Sequence, residues 1–114
     1  MPIVCKAGEV MKYPKMPEGF SVLAIDLDGT LSRRVWPATH VGEPIPEGID
    51  CVLHYHELGY EVRILTARPP SHWPRIWGWI QTNGLYAVIN DVTNVKTPDM
   101  GLIIDDKAER AWWA

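Results

Sequence analysis

The sequence is poor in cysteine, has no long apolar run, and is dominated by neither sign of charge. Cys5 and Cys51 are its two cysteines in 114 residues. Two thiols cannot build a disulfide framework, nor a zinc site alone. No stretch approaches the roughly 18 apolar residues that mark a membrane-spanning helix. The opening MPIVCKAGEV lacks the apolar core of a signal peptide. Eleven Lys+Arg stand against 14 Asp+Glu, a net charge of −3. The basic footprint with which a generic nucleic-acid binder displaces phosphate counterions is therefore missing. Internal repeats and low-complexity tracts are absent too. Together these absences set the expectation of a soluble, cytoplasmic domain with no membrane partner and no general nucleic-acid surface.

What is present is enough for one folded domain. Hydrophobic residues make up 46% and charged residues 22%, a balance that supports a core and disfavours disorder. Residues 1–20, with Pro2, Pro14, Pro17, Gly8 and Gly19, read as an irregular arm with a short extended piece over 2–6; residues 21–114 read as the core domain. Ser21–Ile25 is an apolar run with the form of a doubly buried strand. A long loop or small hairpin with five Gly or Pro residues follows over 29–47, then a helix over 48–58 with Pro46 and Glu47 at its start and Gly59 at its end. Glu61–Thr66 predicts a second strand. A helix capped by Ser71 or His72 follows, running to about Asn83, with Trp73, Ile76, Trp77 and Ile80 as its core stripe. Tyr86–Ile89 predicts a third strand and Leu102–Ile104 a fourth, and a last short helix starts near Lys107. Strands alternating with helices predict an open parallel α/β sheet with crossover helices on its faces, and such sheets bind ligands beyond the carboxyl ends of their strands.

Those ends carry chemistry. The first strand runs into Asp26 and Asp28, the second ends at Thr66, Lys96 precedes the fourth, and the fourth ends at Asp105 and Asp106. Two like charges 4 Å apart repel by about 4 kcal/mol at an effective dielectric of 20. A rim with up to four carboxylates and one lysine therefore either holds protons or binds a hard cation. Oxygen donors of this kind suit Mg²⁺.

The run Asp26-Leu27-Asp28-Gly29-Thr30-Leu31 after an apolar strand resembles the first motif of the haloacid dehalogenase-like (HAD) superfamily of phosphatases and phosphotransferases. Ile64–Arg68 resembles the second motif, Lys96 the third, and Ile103–Asp106 the fourth, in the family's order and spacing. The resemblance implies a HAD-like, Rossmann-like open sheet with helices on both faces and a Mg²⁺-dependent phosphatase. Asp26 would be the nucleophile that becomes an aspartyl-phosphate, and Asp28 the general acid and base whose backbone carbonyl also reaches the metal. Thr66 and Lys96 would hold phosphoryl oxygens. Asp105 would ligate Mg²⁺ directly or through water, with Asp106 a second ligand or outer partner. An Asp at position 28 favours phosphate chemistry over dehalogenation.

Thr66 follows Asp28 by 38 positions and Lys96 follows Thr66 by 30. Neither gap holds a cap domain, so the chain resembles the small cap-less members. An open site suits a bulky phosphorylated substrate, a small molecule or a macromolecular or nucleic-acid end; a neighbouring subunit as lid and an unselective site stay open as alternatives, and residues 31–45 are the candidate local flap. The edge of the last strand needs cover, from the arm or from a second subunit. His54 and His56, two positions apart on a helix, point apart and read as structural. For Arg33, Arg34 and Arg68, substrate contact and surface charge are both open. Trp112 and Trp113 cannot both face inward on one short helix, which makes one of them a candidate contact in a homo-oligomer. The rival functions are a receiver-like phospho-accepting signalling module and a non-catalytic binding protein on the same fold.

Overall fold

The computed structural model describes residues 3–5 and 13–105. Five parallel strands form one sheet: β1 (Ile3–Cys5), β2 (Val22–Ile25), β3 (Glu61–Leu65), β4 (Asp91–Thr93) and β5 (Met100–Ile104), in the spatial order β1-β5-β2-β3-β4. Helix α1 (Pro46–Glu57) links β2 to β3, and α2 (Trp73–Thr82) links β3 to β4 after a 3-10 turn at Pro70–His72. The fold is therefore α/β with a parallel sheet. Among the described residues no helix is long and apolar enough to cross a membrane.

Side chains alternate across the sheet, as the two-residue period of a strand requires. Leu23, Ile25, Val62, Ile64, Val92, Leu102 and Ile104 face one side and form the main core with Cys51, Val52 and Tyr55 of α1 and Ile76, Trp79 and Ile80 of α2. Val22, Ala24, Met100 and Ile103 form a second buried cluster with Leu65. Among the described residues, both helices thus pack on one face; the further helix expected from the sequence falls on residues outside them. The β4–β5 connection is only residues 94–99, too short for a helix, and Thr97 and Asp99 within it meet Arg63 of β3.

The third strand also differs from expectation. Tyr86–Ile89 is a turn in which the amides of Val88 and Ile89 both donate to the Leu85 carbonyl (2.9 Å each). Leu85, Val88 and Ile89 are buried while Tyr86 is exposed. Their spacing is i, i+3, i+4, a helical-turn period rather than alternation. The strand starts at Asp91, after Asn90 has locked onto β3: its amide donates to the Val62 carbonyl (2.8 Å) and its Oδ1 accepts from the Val62 amide (2.9 Å). At the start of α2, His72 occupies the N-cap position without a side-chain cap bond, and Ser71 lies within the 3-10 turn. The buried tryptophan there is Trp79, with Trp73 and Trp77 half-buried beside it.

The described residues of the arm, 3–5 and 13–20, join the sheet and its core. β1 pairs with β5, Ile3 beside Leu102 and Cys5 beside Ile104, so the arm supplies the edge cover. Met16 is buried in the main core, and the ring of Tyr13 stacks on His54 with centroids 4.4 Å apart. That stacking bears out a structural place for His54. The pairing of β2 with β5 slips at Gly101, between Met100 and Leu102. A Cβ at Gly101 would lie 2.3 Å from Phe20 Cβ and 2.7 Å from Met16 Sδ, so only glycine lets the arm close there. The helix expected near Lys107, with Trp112 and Trp113, lies outside the described residues.

Candidate active site at the strand ends

The rim is built by strand register. Ile25 of β2 stands beside Ile64 of β3 and Ile104 of β5. Asp26 and Asp105, the next residues on two adjacent strands, therefore leave the sheet side by side, and the Asp26 amide still donates to the Ile104 carbonyl (2.9 Å). Thr66 follows β3, held by its amide to the Thr93 carbonyl at 2.9 Å. Asp26, Thr66, Lys96 and Asp105 all line one open cleft of about 540 Å³, with Asn94 and Val95. An adjoining lobe of about 420 Å³ shares Asp26, Thr66 and Asp105 and adds Asp28, Arg34 and Arg68. The predicted residues from Asp26 to Asp105 are thus gathered around one void. Asp106 lies outside the described residues.

After β2 the chain turns sharply. Gly29 adopts φ +85°, and the Leu27 carbonyl accepts from the amides of Leu31 (3.0 Å) and Ser32 (2.9 Å). This tight turn presents Asp28 beside Asp26 rather than along a continuing strand. Gly48 of α1 rests against it: a Cβ there would stand 2.3 Å from the Thr30 carbonyl oxygen. The following loop returns as a small hairpin, with Arg33 donating to Glu43 (2.8 Å) and Ile45 to Leu31 (2.9 Å). Residues 31–45, the candidate flap, therefore fold as a hairpin whose Arg34 lines the smaller lobe. Its inner side is fixed by Trp79, whose indole N–H donates to the Gly42 carbonyl at 2.7 Å. Trp36 at its tip is 89% exposed.

Asp28 has a partner that sequence reasoning left undecided. Arg68 grips its carboxylate with two parallel bonds, Nε to Oδ2 at 2.9 Å and Nη2 to Oδ1 at 2.8 Å. The Arg68 side chain is 9% exposed and that of Asp28 23%. The sequence held one signal for it, since a charged residue two positions past the strand-end threonine must leave the sheet at the rim. Thr66 is buried, and its Oγ accepts from the Arg68 amide (3.1 Å). Its own hydroxyl hydrogen is not used in that bond. Lys96 is exposed, on a segment pinned from below: Arg63 Nη1 donates to Thr97 Oγ1 (2.8 Å) and Nη2 to Asp99 Oδ2 (3.0 Å). The Thr97 hydroxyl bonds Asp99 as well, and with Arg63 it holds that carboxyl below its usual range against the opposing effect of burial.

Among the described residues no three His, Cys, Asp or Glu side chains come together as a metal-holding group. Two carboxylates do leave the sheet side by side, Asp26 and Asp105. Mg²⁺ keeps most of its waters and takes one or two carboxylates, so this pair fits it.

No family model matches the chain, and no curated protein matches it. A solved structure of a conserved protein from Bacteroides thetaiotaomicron aligns over 79% of this chain and 78% of its own, with a TM-score of 0.60 and 19% identity. At that identity the likeness is one of fold: both chains share an α/β architecture over most of their length.

Proposed function

We propose that the chain is a Mg²⁺-dependent phosphatase of the HAD type, acting through an aspartyl-phosphate on Asp26. The observation that carries this reading is the common cleft shared by Asp26, Thr66, Lys96 and Asp105. An Asp26 oxygen attacks phosphorus while the bond to the leaving oxygen breaks, and the Asp28 carboxyl gives that oxygen its proton. Asp28, now a carboxylate, then takes a proton from water; the hydroxide attacks phosphorus, the bond to Asp26 breaks, and inorganic phosphate leaves. The Thr66 hydroxyl and the Lys96 ammonium hold phosphoryl oxygens whose charge grows in the transition state. Mg²⁺ held by Asp26 and Asp105 would supply further positive charge to those oxygens. An open cleft with a short flap suits a phosphate carried on a bulky group or on a macromolecular end.

The test is turnover of an aryl phosphate with Mg²⁺. Hydrolysis is expected, abolished by a chelator and reduced to background in Asp26→Asn. Unchanged activity in Asp26→Asn removes the nucleophile from the scheme. One stable phosphorylation without release supports a receiver-like signalling module instead.

A further inference from the structure

We propose that Arg68 is a positioning residue that fixes the orientation of Asp28 and makes it depend on the 33–43 segment of the flap. The inference rests in its kinetic part on the acid–base reading of Asp28. The same Nη2 that bonds Asp28 Oδ1 also donates to the His40 carbonyl at 2.6 Å. One planar guanidinium therefore joins a site carboxylate to a backbone carbonyl twelve residues along the chain. The backbone that carries this side chain is itself held: the Arg68 amide donates to Thr66 Oγ1 (3.1 Å), and its carbonyl accepts from Trp73 Nε1 (3.1 Å). The Arg68 Nη1 is buried with no hydrogen-bond partner among the described residues.

The grip leaves lone pairs open on both Asp28 oxygens. Two bonds from Arg68 use one acceptor position on each oxygen, and a carboxylate offers about four. The 23% of the side chain still exposed lies where Asp28 lines the smaller lobe. What Arg68 removes is freedom of rotation, and a fork does so where a single ammonium cannot. Because His40 shares that fork, a displacement of the 33–43 segment loosens the carboxylate too.

The experiment uses the full chain with Arg68→Lys, Asp28→Asn and the double variant. An alkyl phosphate needs its leaving oxygen protonated, whereas p-nitrophenyl phosphate needs this far less. General acid–base catalysis contributes about 10²–10⁴-fold, and a misplaced acid forfeits a good part of it. Arg68→Lys is therefore expected to lower kcat/KM, which reports the step that forms the aspartyl-phosphate, on the alkyl phosphate by about tenfold or more, with kcat/KM on p-nitrophenyl phosphate affected several-fold less. It should add no further loss in the Asp28→Asn background. Equal losses of kcat/KM on both substrates, or additive losses in the double variant, overturn the assignment. A second readout requires no turnover. Amide hydrogen exchange over 33–43 is expected to quicken in Arg68→Lys and in Asp28→Asn, with α2 unchanged. Unaltered exchange there in Asp28→Asn breaks the proposed coupling. A wild-type protein without phosphatase activity that shows the coupled exchange overturns the catalytic reading and supports the link.

Discussion

Gly48→Ala opposes two effects of known size and opposite sign. Gly48 is the third residue of α1, and alanine is favoured over glycine within helices by about 0.8–1.0 kcal/mol. Helix propensity alone thus predicts a more stable protein. The tertiary structure predicts the reverse. The new Cβ would stand 2.3 Å from the Thr30 carbonyl oxygen and 3.1 Å from Leu31 Cα. Both are backbone atoms of the turn that carries Asp28, so no side-chain rotation relieves the contact, and helix or turn must move by about 1 Å. Overpacking costs typically about 1–3 kcal/mol. With backbone on one side the upper end applies, leaving about 2 kcal/mol of net destabilisation after the helix gain. For a chain of this size that is a Tm lower by roughly 8 °C. Urea and thermal melts of the two proteins at one pH measure it, and turnover should fall with the displaced turn. A variant as stable as wild type, or more so, would show that α1 and the turn do not meet this closely.

Two further substitutions probe the supports of the rim. Asp99→Asn removes a carboxylate whose folded pKa is lowered, so its contribution is fully present above the unfolded value of about 3.9 and is lost as pH falls through the folded one. The stability gap between wild type and variant should stay constant from pH 7 to about 5 and close at lower pH. A gap that persists in strong acid refutes the Thr97 and Arg63 contacts as its cause. Trp79→Phe leaves the Gly42 carbonyl without the indole donor that fixes the flap. An unsatisfied buried acceptor costs about 1–3 kcal/mol, and a loss in urea melts below about 0.5 kcal/mol counts against this contact.

The sequence by itself determined the run β2, α1, β3, α2, the last strand β5, and the residues that end β2, β3 and β5. An apolar run that stops at Asp26, or at Asp105, shows from local pattern alone where a buried strand meets solvent, and a parallel sheet sends all such ends to one rim. It did not determine the third strand, because the apolar run Leu85–Ile89 fits a buried turn as well as a strand, and Asn90 chose between them by bonding β3. Nor did it determine the partner of Asp28. Arg68 stands 40 positions away, and only the placing of β3 beside β2 brings the two within 3 Å. The arm as edge strand, the close approach of Phe20 and Met16 to Gly101 and the contact at Gly48 are of the same kind. Periodicity encodes which face of an element is buried; it does not encode which distant atoms fill the space against that face, and those atoms decided how the site is held.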